Sequence, residues 1–195
     1  MSANVAAIIW GVGIIAWTII RWPHRRVARK TKVVADKRSK GERVALGLCI
    51  LGLVVVPIVH LATDLFSFAD YSFQPWQGWI GAVVLVGFLV LFHLSHKHLG
   101  KNWSVTLEVR EDHGLVDTGV YRFVRHPMYS SFWLWGVAQA LLIPNWVAGF
   151  TGIAAVAWLY FSRIGREEAM MREQFGEVYD AYSVRTPRII PKIFG

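Results

Sequence analysis

Apolar residues gather into five blocks along the chain, and polar residues fill the stretches between them. A helix needs roughly 20 mainly apolar residues to cross a bilayer, with a range of about 17–25. The blocks cover residues 3–20, 44–62, 79–94, 129–143 and 146–162. The last two are short, and only Pro144-Asn145 separates them, which predicts a tight helical hairpin. We therefore predict an all-α integral membrane protein with about five transmembrane helices.

The polar tail after the fifth block has a helical pattern of its own. Four apolar residues recur there at helical spacing: Met171, Phe175, Val178 and Tyr182. This spacing predicts an amphipathic C-terminal helix, which Gly176 is expected to divide into two pieces. In the second block, Pro57 predicts a kink near the outer end of the helix.

The composition agrees with this pattern. Hydrophobic residues make up 54% of the chain and charged residues 17%, with a mean hydropathy of +0.39. Soluble domains carry about 25% charged residues. The net charge of +8 is typical of nucleic-acid binding or of a membrane protein with basic loops. Because the apolar residues come in blocks long enough to span, we expect membrane lipids as partners and no nucleic acid.

Connections rich in basic residues alternate with connections that lack them, and this alternation predicts the orientation of the chain in the membrane. Three stretches are rich in Lys and Arg: 21–43, 95–128 and 163–195. The connection 63–78 has acidic residues but neither Lys nor Arg. Because basic loops stay in the cytoplasm, we predict an outside N-terminus and a cytoplasmic C-terminus. The first block has no basic residues before it, so we do not expect it to be a cleaved signal peptide.

The polar stretches 95–128 and 163–195 are long for a small membrane protein, so we expect the chemistry there. We predict a single domain over 1–195. Residues 1–94 would supply three N-terminal spans, and residues 95–195 would bind a cofactor and carry out catalysis.

Few side chains are placed to bind a metal. His93, His96 and His98 end the third block, and His93 and His96 can share a helix face, so a metal is conceivable. No second pair of ligands has a clear spacing, which favours interface histidines and no metal. Cys49, the single cysteine, lies in an apolar run and is expected to be a buried thiol.

A more specific motif precedes the fourth block. Residues 119–129 contain two arginines, a histidine and two tyrosines directly before an apolar helix. Pro127 suits the first turn of that helix, where its missing N–H costs nothing. The unpaired N–H groups of the turn favour a carboxylate or a phosphate. A basic, aromatic membrane anchor has the same composition, and both interpretations stay open at this point.

Arg163 and Glu167 are four residues apart on the helix that leaves the fifth block. That spacing permits an ordinary surface ion pair. However, two antiparallel helices joined by a short turn would bring Tyr129 and Ser162 to a similar depth. We therefore expect the motif at 125–127 and this pair to face one cytoplasmic pocket.

The run Arg125-His126-Pro127-Met128-Tyr129, preceded by Gly119-Val120-Tyr121, resembles the central motif of the isoprenylcysteine carboxyl methyltransferases and their phospholipid methyltransferase relatives. Further runs that fit the same family are residues 98–104, 113–116, 167–168, 175–179 and Tyr182. The resemblance covers about residues 95–192 and is close to prokaryotic members. It departs at Ser130-Ser131, near which many members carry a glycine.

This resemblance implies a small helical bundle in the membrane without a Rossmann sheet, and a cytoplasmic pocket for S-adenosylmethionine, with S-adenosylhomocysteine as the product. The implied cofactor contacts are Thr106, His113, Gly114, Leu115, Val116, Tyr121, His126, Pro127, Met128, Tyr129 and Glu167. Arg163 would face the substrate, and Arg163 and Glu167 would be the catalytic residues.

The family reaction moves a methyl group to the α-carboxylate of a prenylated cysteine. A carboxylate with a pKa of about 3.3–3.7 is already ionised at neutral pH, so no general base is needed. Arg163 could hold this carboxylate, while the lipophilic part of the acceptor enters from the bilayer.

Three alternatives remain open from the sequence. A phospholipid amine or another small lipophile would keep the cofactor and need a base near Glu167. A sterol-type membrane reductase would bind NADPH in a similar place. A non-catalytic membrane protein would retain only the fold.

Overall fold

The computed structural model describes residues 1–30, 33–36, 40–63, 65–100, 108–110 and 114–192. Within these residues the chain forms α1 (Ala3–Lys30), β1 (Val33–Asp36), α2 (Lys40–Ile50), α3 (Val56–Thr63), α4 (Pro75–Leu99), β2 (Glu108–Arg110), α5 (Pro127–Leu142), α6 (Thr151–Phe175) and α7 (Glu177–Arg185). The predicted all-α membrane class is confirmed.

Three helical segments in the described part of the chain are long and apolar enough to cross a membrane: Ala3–Val27, Gly41–Thr63 and Pro75–Leu99. They correspond to the first three predicted blocks, and each extends past the apolar residues that marked it. Helix α5 has 16 residues and is shorter than a usual span. The total of five spans stays a prediction.

The second span is one helix with an irregular turn in its middle. Residues Leu51–Val55 form a π-helical turn, in which the N–H of Val56 bonds to the carbonyl oxygen five residues before it. The turn ends two residues before Pro57, which has no N–H to continue the regular pattern. The carbonyl oxygen of Gly52 accepts a hydrogen bond of 2.9 Å from the buried Gln139 side chain. The kink that Pro57 predicts near the outer end stays a prediction, whereas the π turn lies in the middle of the span, where a polar side chain bonds to its backbone.

The predicted two-residue turn at Pro144-Asn145 is wrong, because residues 143–150 form the connection between α5 and α6. The fully buried Asn145 side chain explains the difference. Its oxygen accepts the backbone N–H groups of Val147 at 2.9 Å and Ala148 at 2.7 Å. Its nitrogen donates to Asp70 Oδ1 at 2.6 Å. These bonds hold the backbone out of the helix and attach it to the preceding connection.

Aromatic residues of α1, α4 and α5 form the centre of the bundle. Phe88, Phe92 and Trp135 are at most 1% exposed. The ring of Trp135 lies 4.8 Å from that of Phe88 and 4.9 Å from that of Trp17. Helix α4 packs on α5 and α1, while α6 packs on α5 and α2. Both halves of the chain therefore contribute helices to one bundle.

Beyond the fifth apolar block, α6 runs on to Phe175 without interruption. Gly176 then adopts a positive φ of 54° and separates α6 from α7, which confirms the predicted break. Strands β1 and β2 pair antiparallel, with Asp36 opposite Glu108. The sequence did not predict this short pair. Helices α1 and α4 end, and helices α2 and α5 begin, at the same side of the bundle. We call this side the basic end.

Candidate active site

A cavity of about 470 Å³ opens at the basic end of the bundle. Small-molecule sites usually have volumes of roughly 300–1,000 Å³. Its lining comes from α1, α2, α4, α5, α6 and α7 and from the segment that precedes α5. Ten of the residues predicted as site residues line it: Gly114, Leu115, Val116, Tyr121, His126, Pro127, Met128, Tyr129, Arg163 and Glu167. Thr106 and His113 lie outside the described residues.

The motif before α5 is placed at the cavity by the tail of the chain. His126 precedes the helix and Pro127 occupies its first turn, as the sequence predicts. The backbone N–H of Arg125 donates to Pro187 at 2.8 Å, and that of His126 donates to Arg188 at 2.9 Å. Two of the donors before the helix are therefore used by the tail.

A cluster of polar side chains around the Glu167 carboxylate faces the cavity. The Tyr129 hydroxyl donates to Glu167 Oε2 at 2.8 Å, and Arg163 Nε lies 3.4 Å from the same oxygen. His126 Nδ1 lies 3.6 Å from Glu167 Oε1. The predicted juxtaposition of the 125–127 motif with Arg163 and Glu167 is therefore present.

These contacts keep Glu167 ionised. Burial disfavours the charged carboxylate, but the neighbouring His126 ring and the Arg163 charge outweigh it and lower the pKa of Glu167 to about 2. For His126, burial favours the neutral ring, whereas the adjacent carboxylates of Glu167 and Glu168 raise its pKa above the ordinary value. The cluster thus contains an ionised carboxylate beside an imidazole whose protonated form is favoured.

Glu168 organises a second cluster, which the sequence reasoning missed. Its side chain is 2% exposed. Arg125 NH2 lies 2.6 Å from Oε1, and Arg188 NH2 lies 2.8 Å from Oε2. His126 Nε2 lies 3.4 Å from Oε1. The acidic pair 167–168 in the motif could have pointed to Glu168, but the sequence analysis assigned a role to Glu167 alone.

The tail is held beside the start of α5 by side-chain hydrogen bonds to its backbone. Arg125 NH1 donates to the carbonyl oxygens of Ser183, at 2.7 Å, and Thr186. Ser130 Oγ donates to Ile189 at 2.6 Å. Ser130 therefore contributes a bond to the tail.

The other side of the cavity is apolar and reaches the bundle surface. Trp17, Phe132 and Trp135 line it, together with Gly47 and Ile50 of α2. Gly47 and Ile50 are nevertheless exposed, Ile50 at 45%. A Cβ added to Gly47 would meet no atom within 4 Å. We therefore infer a mouth of the cavity along α2, on the outer surface of the bundle.

Several lining residues come from the N-terminal half, which carried no motif. They include Trp17, Arg21, Arg25, Leu46 and Cys49. Cys49 is buried, as predicted. Hydropathy predicted the helices on which these residues lie, but it does not reveal which helix face turns to a cavity.

The histidines at the end of α4 have structural contacts. His96 is fully buried and its Nδ1 lies 2.9 Å from the Phe92 carbonyl oxygen. His98 Nδ1 accepts the N–H of Val120 at 3.3 Å. Across the described residues, no group of three or more His, Cys, Asp or Glu side chains is arranged so that it could hold a metal ion.

Comparison with known proteins matches residues 79–173 to the isoprenylcysteine carboxyl methyltransferase family. The chain is also similar to three curated proteins. A protein-S-isoprenylcysteine O-methyltransferase of Dictyostelium discoideum is 31% identical over 125 residues, which are 63% of this chain and 52% of that protein. Protein-S-isoprenylcysteine O-methyltransferase B of Arabidopsis thaliana is 26% identical over 141 residues, 71% of either chain. The enzyme of the same name in Schizosaccharomyces pombe is 39% identical over 97 residues, 48% of this chain and 41% of that protein.

The chain thus spans about half the length of the Dictyostelium relative and less of the Schizosaccharomyces one. All three relatives are eukaryotic, so the expected closeness to prokaryotic members is not confirmed.

Proposed function

Because residues 79–173 match the isoprenylcysteine carboxyl methyltransferase family, we propose that this chain is an S-adenosylmethionine-dependent methyltransferase that esterifies the carboxylate of an isoprenylcysteine-type acceptor. One observation carries the proposal. A single cavity joins the charged cluster of Arg163, Glu167 and Tyr129 to an apolar wall that reaches the exposed residues Gly47 and Ile50 of α2.

The residues of the charged side fit a cofactor that carries positive charge. Glu167 is an ionised carboxylate at the cavity wall, and the rings of Tyr121 and Tyr129 lie beside it on the same lining. Carboxylates and aromatic faces both attract cations. We propose that these three residues hold the cofactor together with His126, Pro127, Met128 and segment 114–116. Thr106 and His113, which lie outside the described residues, stay predicted contacts.

The chemistry that S-adenosylmethionine supplies is a methyl group on a cationic sulfonium sulfur, with S-adenosylhomocysteine as the product. The chain provides orientation and an apolar surrounding. An acceptor carboxylate held by Arg163 would lie beside Glu167 and Tyr129, so the two reactants would meet in one place. Transfer between opposite charges leaves two neutral centres. The apolar walls disfavour the separated charges more than the transition state, and they exclude water.

We propose that the basic end faces the cytoplasm. The cofactor would then enter from the cytosol, while the prenyl group enters from the bilayer through the mouth beside Gly47 and Ile50. The contact between Arg163 and Glu42, a residue of α2, joins the two halves of the chain at one site. This contact supports a single domain over 1–195.

Binding of S-adenosylhomocysteine to the purified chain tests the cofactor assignment. A ligand that binds only the folded state at 100 times its Kd stabilises it by about 2.7 kcal/mol. We expect S-adenosylhomocysteine to raise the melting temperature by several degrees, and NADPH to leave it unchanged. Stabilisation by NADPH alone would contradict the proposal and favour a membrane reductase.

Blocking the mouth along α2 should affect only the acceptor. Gly47→Trp would place an indole in the open space beside the cavity, and we expect the KM for a prenylcysteine to rise by on the order of tenfold or more. The affinity for S-adenosylhomocysteine should stay the same, since Gly47 is not one of the proposed cofactor contacts.

Gly87→Trp is the matched control for this variant. Gly87 is an exposed helical glycine of α4, and a Cβ there also meets no atom within 4 Å. It does not line the cavity. If both variants have the same KM as the unmodified chain, the acceptor does not enter beside Gly47.

A further inference from the structure

Glu42 is a buried acidic side chain at the start of the second span. It lies in the first turn of α2, and the residue is 1% exposed. It is outside residues 79–173, which match the family, and no sequence motif singled it out. A carboxylate that is buried in a membrane helix is costly unless it has a charged partner, so such residues usually serve a function.

Glu42 forms an ion pair with Arg163. Glu42 Oε1 lies 3.2 Å from Arg163 NH1, and the Arg163 side chain is 11% exposed. On its other side, Arg163 Nε lies 3.4 Å from Glu167 Oε2. The guanidinium is therefore held between two carboxylates from different helices, α2 and α6.

The two carboxylates have different positions relative to the cavity. Arg163 and Glu167 line it, whereas Glu42 lies behind Arg163 and is not among the described lining residues. Glu42 is thus placed to act on a ligand through Arg163 rather than by touching the ligand. This excludes Glu42 as the base that an amine acceptor would need.

We propose that Glu42 is a positioning residue, which holds the Arg163 guanidinium at the cavity wall so that it can bind the carboxylate of the acceptor. The inference rests on the proposed function. Without Glu42, the Arg163 guanidinium would be drawn fully onto Glu167, the remaining carboxylate beside it. Arg163 would then be turned away from the acceptor.

A simple charge effect predicts the opposite sign. Glu42 is negative, so its removal would make the site more positive and would strengthen the binding of an anionic acceptor. Positioning predicts weaker binding. The direction of the change therefore separates the two explanations.

The experiment measures equilibrium binding of a prenylcysteine with a free carboxylate and of its methyl ester to the purified chain. Glu42→Gln keeps the size of the side chain and removes its charge. We expect it to weaken carboxylate binding by about tenfold or more and to leave the ester unchanged, as for the loss of a charged hydrogen bond. The affinity for S-adenosylhomocysteine, measured separately, should change less. Glu177→Gln, at the exposed start of α7, is the control and should match the unmodified chain.

Arg163→Gln provides the second measurement. When Glu42→Gln is combined with Arg163→Gln, both members of the ion pair are neutral, so neither is left as an uncompensated buried charge. Glu42→Gln should then change carboxylate affinity by less than about twofold, because it acts only through Arg163.

Three outcomes would contradict the inference. Unchanged or stronger carboxylate binding in Glu42→Gln overturns the positioning role and leaves the proposed function intact. A further tenfold loss in the Arg163→Gln background shows that Glu42 acts by another route. If the unmodified chain does not distinguish the carboxylate from its ester, the proposed acceptor is wrong, and the role of Glu42 is overturned with it.

Discussion

Replacing Glu168 by alanine is expected to cause the largest loss of stability of any single substitution at the site, roughly 3–5 kcal/mol. The Arg125 side chain, 9% exposed, would keep its charge without its main partner. The bonds from Arg125 to the tail would then be weakened as well. The measurement is thermal unfolding of the purified protein in the absence of ligands.

Arg188→Ala is the matched control, since Arg188 contacts the same carboxylate from a side chain that is 53% exposed. Exposed ion pairs contribute little to stability. We expect its melting temperature to stay close to that of the unmodified chain. If Glu168→Ala loses no more stability than Arg188→Ala, Glu168 does not organise the tail.

The same cluster predicts sensitivity to acid. Burial raises the pKa of Glu168, but hydrogen bonds from His126, Arg188 and Arg125 outweigh it, so its pKa lies well below the usual 4.5. A lowered folded-state pKa stabilises the protein above the unfolded value and loses that contribution as the pH falls through the folded value. Glu168→Gln should therefore flatten the loss of stability below about pH 4.5.

The second large effect separates Arg163 from Glu167. If Arg163 and Glu167 formed only an ordinary surface ion pair, either residue could be replaced by alanine with little loss of stability or activity. We expect different defects instead. Arg163→Ala should impair use of the acidic acceptor, and Glu167→Ala should impair cofactor binding, each by about ten- to a hundredfold in the affected constant.

Steady-state kinetics with each substrate varied in turn, together with direct cofactor binding, distinguishes these defects. Both variants should retain the fold. Near-normal constants for both substrates in both variants would show that the pair is structural. An inactive Glu167→Ala beside a silent Arg163→Ala would indicate that the acceptor is not a carboxylate.

Much of the fold could be predicted because its signal is local. Blocks of apolar residues predicted the three helices that are long enough to span, and Gly176 predicted the break after α6. The two-residue turn after α5 was wrong because Asn145 makes tertiary contacts, with Asp70 among others, that keep the backbone out of the helix. Hydropathy contains no information on such contacts.

The site residues likewise divide into those that a local sequence motif predicts and those that it does not. The motif predicted residues of the C-terminal half, and those within the described chain lie around one cavity. Glu42 and Trp17 were missed because each acts through packing between helices that are distant in sequence. Glu168 was missed because an acidic pair does not reveal which member points to the cavity and which to the tail.

Transfer of a labelled methyl group from S-adenosylmethionine to a prenylcysteine by the purified chain tests the central claim most directly. The account predicts label in the acceptor that mild base releases as methanol, because the product is a carboxyl ester. It also predicts no label in the same compound when its carboxylate is already blocked as an amide. Labelling of the amide, or a label that resists base, would contradict carboxyl methylation.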